Sequence, residues 1–254
     1  YSASYDNTIC IWNTETYEEI ATLRGHTNSV ICLTLHENKL YSGSFETICI
    51  WNTEEPYECI ATLRGHTHWV QCLTIHDNKL YSGSSDATIR IWNTETYEEV
   101  AILRGHTGCV RCLAHHDNKL YSGSWDMTIR IWNTDTYEEV SILIGHTGIM
   151  KCLTLHENKL YSGSNDNTIR IWNTETYECI ATLKGHTKYI DCLTLHKNKL
   201  YTGSADKTIR VWNTETYEEI ATLEGHISYV VYLTHFKNKL YSGSADKTIR
   251  VWKI

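Results

Sequence analysis

Tyr81-Ser-Gly-Ser-Ser-Asp-Ala-Thr-Ile-Arg-Ile-Trp92 is one of seven similar stretches; the others begin at Tyr1, Tyr41, Tyr121, Tyr161, Tyr201 and Tyr241, a period of 40. Repetition at that interval marks one supersecondary unit, copied along the chain and stable only when neighbours stack. The unit reads as four short strands. Val70–Ile75 is apolar and β-branched, and Asp77-Asn78-Lys79 supplies a turn. Leu80–Ser84 is the second strand, and Ser85-Asp86-Ala87 a tight connection. Thr88–Trp92 alternates with period two, with Ile89 and Ile91 facing away from Thr88, Arg90 and Trp92. Asn93–Thr96 is turn chemistry, and Glu99–Leu103 is the fourth strand. Strands recurring about every ten residues between turn residues disfavour helix throughout.

Copies of a four-stranded antiparallel sheet, none able to bury both faces alone, close radially into a β-propeller. The expected class is therefore all-β, with residues 1–254 forming a single domain. The second and third strands occur seven times, the first and fourth six times. The chain enters at a second strand (Tyr1) and leaves after a third (Trp252–Ile254). This predicts seven blades, with one outer and one inner strand lying before residue 1. Six blades with Tyr241–Ile254 as a surplus hairpin is the alternative.

Gly-His, Ser-Gly-Ser-x-Asp and a Trp six residues after the Asp together resemble the WD-repeat family over essentially the whole chain. The second letter of the Trp-Asp pair is Asn here, as in Asn93, Asn133 and Asn173, and Lys253 in the last copy. Asn retains local turn hydrogen bonds, so the fold survives this departure. The resemblance implies a buried hydrogen-bonded tetrad in each blade: His66-Ser82-Asp86-Trp92, His106-Ser122-Asp126-Trp132, His146-Ser162-Asp166-Trp172, His186-Thr202-Asp206-Trp212 and His226-Ser242-Asp246-Trp252. Thr202 keeps the hydroxyl. The second copy has His26, Ser42, Glu46 and Trp51, and its Tyr41–Trp51 segment is one residue short, so its tetrad is expected to be distorted or absent.

There are 23 basic and 30 acidic residues, a net charge of −7. That balance disfavours a general nucleic-acid surface or an anionic-membrane binder. No apolar run approaches the ~18–20 residues of a membrane span, and no signal peptide opens the chain. Cys32, Cys72, Cys112, Cys152 and Cys192 share one repeat position and read as small core residues. Free buried thiols point to a reducing compartment, cytoplasm or nucleus.

Columns that vary between copies while their neighbours stay fixed are either unconstrained or specific to a partner. Three such columns lie at the fourth-to-first and second-to-third strand loops, which share one end of each blade. They carry Tyr5, Phe45, Trp69, Arg111, Trp125, Lys151, Asn165, Tyr189, Asp191 and Tyr229. Aromatic residues and Arg with few competing charges suit the centre of a protein interface. Alternatively, these aromatics shield the tetrads or pack on neighbouring blades. The opposite end repeats Asn-Thr-Glu-Thr-Tyr-Glu-Glu and Asn-Lys almost unchanged, a composition that serves solubility.

Catalysis requires converging, non-equivalent residues, whereas this chain offers equivalent ones in register. Six of its fourteen histidines are Gly-His members, and His36, His76, His116, His156 and His196 fill another column. Cys109-x-x-Cys112-x-x-His115-His116 has metal-like spacing, but strand alternation separates its side chains and Cys112 and His116 belong to repeat columns. The expectation is no catalytic residue, metal or cofactor. The function read from this is a non-catalytic protein-interaction scaffold. Lys39–Ser44 and the shortened copy resemble the propellers of TRAF-type RING and F-box ubiquitin ligase subunits, which implies substrate recognition. A structural subunit of a larger assembly is the alternative.

Overall fold

The computed structural model describes residues 1–13, 15, 16 and 18–253. Every element among them is a strand, and no helix is long and apolar enough to cross a membrane. The chain divides into two compact units, Tyr1–His115 with Thr134–Glu138, and His116–Asn133 with Glu139–Ile254.

The first unit opens with a three-stranded antiparallel sheet of β1 (Ser2–Ala3), β2 (Thr8–Trp12) and β3 (Glu19–Arg24). A seven-stranded sheet follows, built from β4 (Cys32–His36), β5 (Lys39–Gly43), β6 (Phe45–Asn52), β7 (Cys59–His76), β8 (Lys79–Ser84), β9 (Thr88–Asn93) and β10 (Glu99–Arg104). β11 (Val110–His116) reaches the division between the units. The second unit contains β12 (Lys119–Ser124), β13 (Ile129–Asn133) and β14 (Glu139–Leu143). Two complete four-stranded antiparallel sheets come next. One is β15 (Met150–His156), β16 (Lys159–Ser164), β17 (Ile169–Asn173) and β18 (Cys179–Leu183); the other is β19 (Ile190–His196), β20 (Lys199–Ser204), β21 (Ile209–Asn213) and β22 (Glu219–Leu223). β23 (Val230–Phe236), β24 (Lys239–Ser244) and β25 (Ile249–Lys253) form a last sheet of three. Repeated four-stranded antiparallel sheets of this kind are the blades of a β-propeller.

The seven-stranded sheet is two blades joined through one strand. Separate fourth and first strands were expected around Gly65-His66, but β7 runs through both. The short second copy explains the difference. With one residue fewer after Ser44, β6 starts at Phe45, and Phe45 pairs with Trp69 while Thr47 pairs with Arg64. The longer β6 therefore holds the connecting segment in the ladder.

Local chemistry sets the hairpins. Asp77 and Asn78 both have positive φ (46° and 55°) between the paired residues His76 and Lys79. Two such residues make the turn whose twist matches the flanking strands. The Trp-Asn step works as a turn as well: Asn93 Oδ1 accepts from the Glu95 and Thr96 amides at 2.7 and 2.9 Å. Asn173 and Asn213 do the same. Asparagine thus supplies the acceptor that the turn needs, without a charge.

Core layers lie between consecutive sheets. Tyr161, Ile169, Ile171 and Leu183 of one sheet meet Ile190, Leu200 and Trp212 of the next. The same set recurs between the two blades of the seven-stranded sheet, as Tyr41, Ile48, Ile50 and Leu63 against Val70, Leu80 and Trp92. Sheet approach is close: a Cβ at Gly163 would lie 2.7 Å from both Cys152 Sγ and Ile190 Cγ2. None of the ten cysteines is in a disulfide. Cys112 and Cys192 are buried, and Cys32, Cys72 and Cys152 are half-buried. Burial pushes the Cys32 thiol up to about 12, and its Sγ points to the Val70 carbonyl at 3.5 Å.

The repetitive turns do more than keep the surface polar. Lys39 Nζ donates to the Thr94 carbonyl at 3.2 Å and sits over the Tyr97 ring at 5.1 Å. Lys79 reaches Thr134 and Tyr137 in the same way, Lys119 reaches Thr174 and Tyr177, and Lys159 reaches Thr214 and Tyr217. Each lysine thus ties one copy to the next, by a charge-assisted hydrogen bond and a cation–π contact. The solubility reading of these turns therefore misses a clamp between copies.

Candidate functional site

The conserved-looking positions and the variable ones behave differently. Tetrad residues lie in the interior and are fully engaged. Trp92 Nε1 donates to Ser82 Oγ at 2.9 Å, Ser82 Oγ lies 2.8 Å from His66 Nε2, and His66 Nδ1 lies 2.7 Å from Asp86 Oδ2. A carboxylate beside Nδ1 assigns the imidazole proton there, leaving Nε2 to accept from the hydroxyl. His146, Ser162, Asp166 and Trp172 repeat these distances, as do His226, Ser242, Asp246 and Trp252. In the set of His186, Thr202, Asp206 and Trp212, the threonine hydroxyl serves in place of serine. His106 belongs to the first unit, whereas Ser122, Asp126 and Trp132 belong to the second. There Trp132 Nε1 donates to Ser122 Oγ at 2.8 Å.

Each Asp also closes the tight turn. Thr168 N and Oγ1 donate to Asp166 Oδ1 at 2.9 and 2.7 Å, and Thr147 N donates to Oδ2 at 3.0 Å. Burial pushes this carboxyl upward, but hydrogen bonds from His146 and Thr168 outweigh it and hold the group well below the usual range. These groups satisfy one another.

The second copy keeps three members of the set. His26 Nε2 lies 2.6 Å from Ser42 Oγ, and Trp51 Nε1 donates to Ser42 at 2.7 Å. Glu46 sits at positive φ (61°) and does not take the carboxylate's place; His26 Nδ1 instead faces Cys49 Sγ at 3.7 Å. Burial lowers the His26 pKa to about 4.

The variable columns form two groups, one in each unit. In the first unit, Phe45 meets the Trp69 ring edge-on at 5.2 Å and the His68 ring at 5.6 Å. Arg111 Nη1 donates to Gln71 Oε1 at 3.1 Å, and Gln71 Nε2 donates to Ser85 Oγ at 2.9 Å. Tyr5 is 85% exposed, and its carbonyl accepts from Ser29 Oγ. In the second unit, Lys151 Nζ lies 3.4 Å from Asp191 Oδ1 and 4.8 Å above the Tyr189 ring, which meets Tyr229 at 6.0 Å. Trp125 is 50% exposed, and Asn165 is exposed.

Exposure differs among these residues. Phe45, Trp69 and Tyr189 are half-buried and pack on neighbouring rings, and Lys151 and Asp191 offset each other's charge. Trp125, Tyr5 and Tyr229 are the exposed aromatics of the set. Gln71 and Ser85 stand in the variable columns but were not among the residues chosen from them, and His68 lies outside those columns, with its place beside Trp69 as the signal. The spaced run of Cys109, Cys112, His115 and His116 does not converge: Cys109 Sγ lies 3.3 Å from Ser85 Oγ, while the His115 ring stacks on His76 at 3.6 Å.

Comparison with known proteins follows the same repeat. The family profile described as WD domain, G-beta repeat matches residues 17–52, 57–93, 97–133, 137–173, 177–213 and 217–253. No curated protein matches the chain. Among similar solved structures is the crystal structure of the computationally designed Ika8 protein. It is 31% identical with a TM-score of 0.90, over 99% of this chain and 79% of that one.

Proposed function

Because the chain belongs to the WD domain, G-beta repeat family, whose members typically mediate protein–protein interaction, we propose that it is a non-catalytic scaffold that binds a protein through its variable loop residues. One observation carries this reading. Trp125 stands where other copies have Ser85, Asn165 and Ala205, and half of its surface faces water. Folding has no use for an exposed indole at a position that serine fills equally well, whereas interface centres favour it. Tyr229 and Tyr189, with Lys151, lie in the same unit and support the assignment.

The narrower reading makes the partner a substrate of a ubiquitin ligase. It is supported by the likeness of Lys39–Ser44 and of the short second copy to propellers of that class. Seven copies of the second and third strands support a seven-bladed form. The net charge of −7 favours protein over nucleic acid or an anionic membrane, and the free thiols favour cytoplasm or nucleus.

The test begins with partners identified by proximity labelling in cells. Trp125→Ala with Tyr189→Ala is then titrated against the purified partner. The expected loss in affinity is about 30-fold or more, with the melting temperature held within a few degrees. Unchanged affinity, or a fall in melting temperature of about 10 °C or more, makes these packing residues and ends the proposal.

A further inference from the structure

Most complete copies join their third and fourth strands by an ion pair. Arg90 pairs with Glu99, Arg130 with Glu139 and Arg210 with Glu219. In the second copy both partners are cysteine: Cys49 stands at the arginine position and Cys59 at the glutamate position. Another copy changes one side alone, and there Arg170 Nη1 faces Cys179 Sγ at 3.6 Å. The first copy has Cys10 at the arginine position with Glu19 at the other, so a thiol at either position is compatible with the fold. Thiols at both positions of one pair place two redox-active groups across a single strand boundary.

The geometry brings them together. In the β6–β7 ladder Cys49 is opposite Thr62 and Cys59 is opposite Trp51. Both sulfurs contact one hydroxyl: Cys49 Sγ lies 3.9 Å and Cys59 Sγ 3.8 Å from Thr62 Oγ1. Their settings differ, since Cys49 is 4% exposed and Cys59 faces solvent. Burial pushes the Cys49 thiol up to about 12, so the exposed sulfur reacts first and the buried one second.

We propose that Cys49 and Cys59 are a modification site, a dithiol that closes to an intramolecular disulfide on meeting a low-molecular-weight disulfide such as oxidised glutathione. Cys59, as thiolate, attacks one glutathione sulfur; the glutathione S–S bond breaks and one glutathione thiolate leaves. Cys49 then attacks the Cys59 sulfur, forming the protein S–S bond and expelling the second glutathione, which takes the proton that Cys49 loses. Two protein thiols are oxidised, and one oxidised glutathione is reduced to two thiols. The closed form links the same two strands that hold Phe45 against Trp69.

Trypsin offers a direct reading, because cleavage after Lys39 and Arg64 releases both cysteines in one peptide with no third. The folded protein is incubated with oxidised glutathione, alkylated without reduction, digested and analysed by mass spectrometry. The expected peptide carries no alkyl group, is lighter by about 2 Da than the dithiol, and regains two alkylation sites after dithiothreitol. Cys179, which has Arg170 for a neighbour, is expected to carry only a glutathione adduct. In the Cys59→Ser variant the lighter peptide disappears. The double variant Cys49→Arg with Cys59→Glu restores the pair seen at Arg90 and Glu99 and is the folded control without these two thiols. The proposal is overturned if Cys59 stops at the glutathione adduct, if both thiols remain free, or if either links to another cysteine.

Discussion

Asp166→Asn tests the buried network at its most heavily loaded atom pair. The carboxylate accepts four hydrogen bonds, from His146 Nδ1 and Thr147 N on Oδ2 and from Thr168 N and Oγ1 on Oδ1. An amide of the same shape keeps one acceptor oxygen and turns its NH2 toward two donors, whichever way it is flipped. If the NH2 faces Thr168, the hydroxyl can rotate to accept, and one bond is lost; if it faces His146, two are lost. Hydrogen bonds to a charged group contribute about 1.5–3 kcal/mol each, so the expected cost is about 2–4 kcal/mol. In urea that corresponds to a midpoint lowered by about 1 M. The pH dependence adds a second reading. The folded carboxyl titrates below its ordinary value of 3.8. Its stabilisation is therefore complete above that value and is lost as the pH falls through the lower folded one. Asparagine does not titrate, so the gap between wild type and variant should narrow on acidification below about pH 4. A midpoint shift under about 0.2 M at pH 7, or a gap that widens in acid, refutes the account of the tetrad as a stabilising network.

Lys159→Met should destabilise by about 1–2 kcal/mol in thermal unfolding, since it removes the bond to the Thr214 carbonyl and the contact with Tyr217. His26 is held to about 4 by burial against an ordinary 6.5, so the unfolded chain takes up a proton that the folded one refuses. Stability should fall as the pH drops from 6.5 toward 4, by up to about 3 kcal/mol. In His26→Gln that part of the pH dependence should be missing from urea midpoints measured at pH 7 and 4.5.

The period of 40 and the alternation within Thr88–Trp92 determined the strands, because strand pairing and turn chemistry are set by neighbours a few residues apart. The Gly-His, Ser-Gly-Ser-x-Asp and Trp tetrads were legible through the resemblance to the WD-repeat family, and their members lie only ten to twenty residues apart. What the variable columns do was not legible. Phe45 and Trp69 belong to different copies and meet because β6 and β7 share a ladder, whereas Lys151 and Asp191 meet through the way one sheet faces the next. The lysine clamps reach across 55 residues, so Asn-Lys and Asn-Thr-Glu-Thr read as surface until two copies are placed side by side. The fusion of two blades through β7 and the meeting of Cys49 with Cys59 likewise came from tertiary structure. A one-residue deletion shifts a register, and only the packed sheet decides where the displaced side chains come to rest.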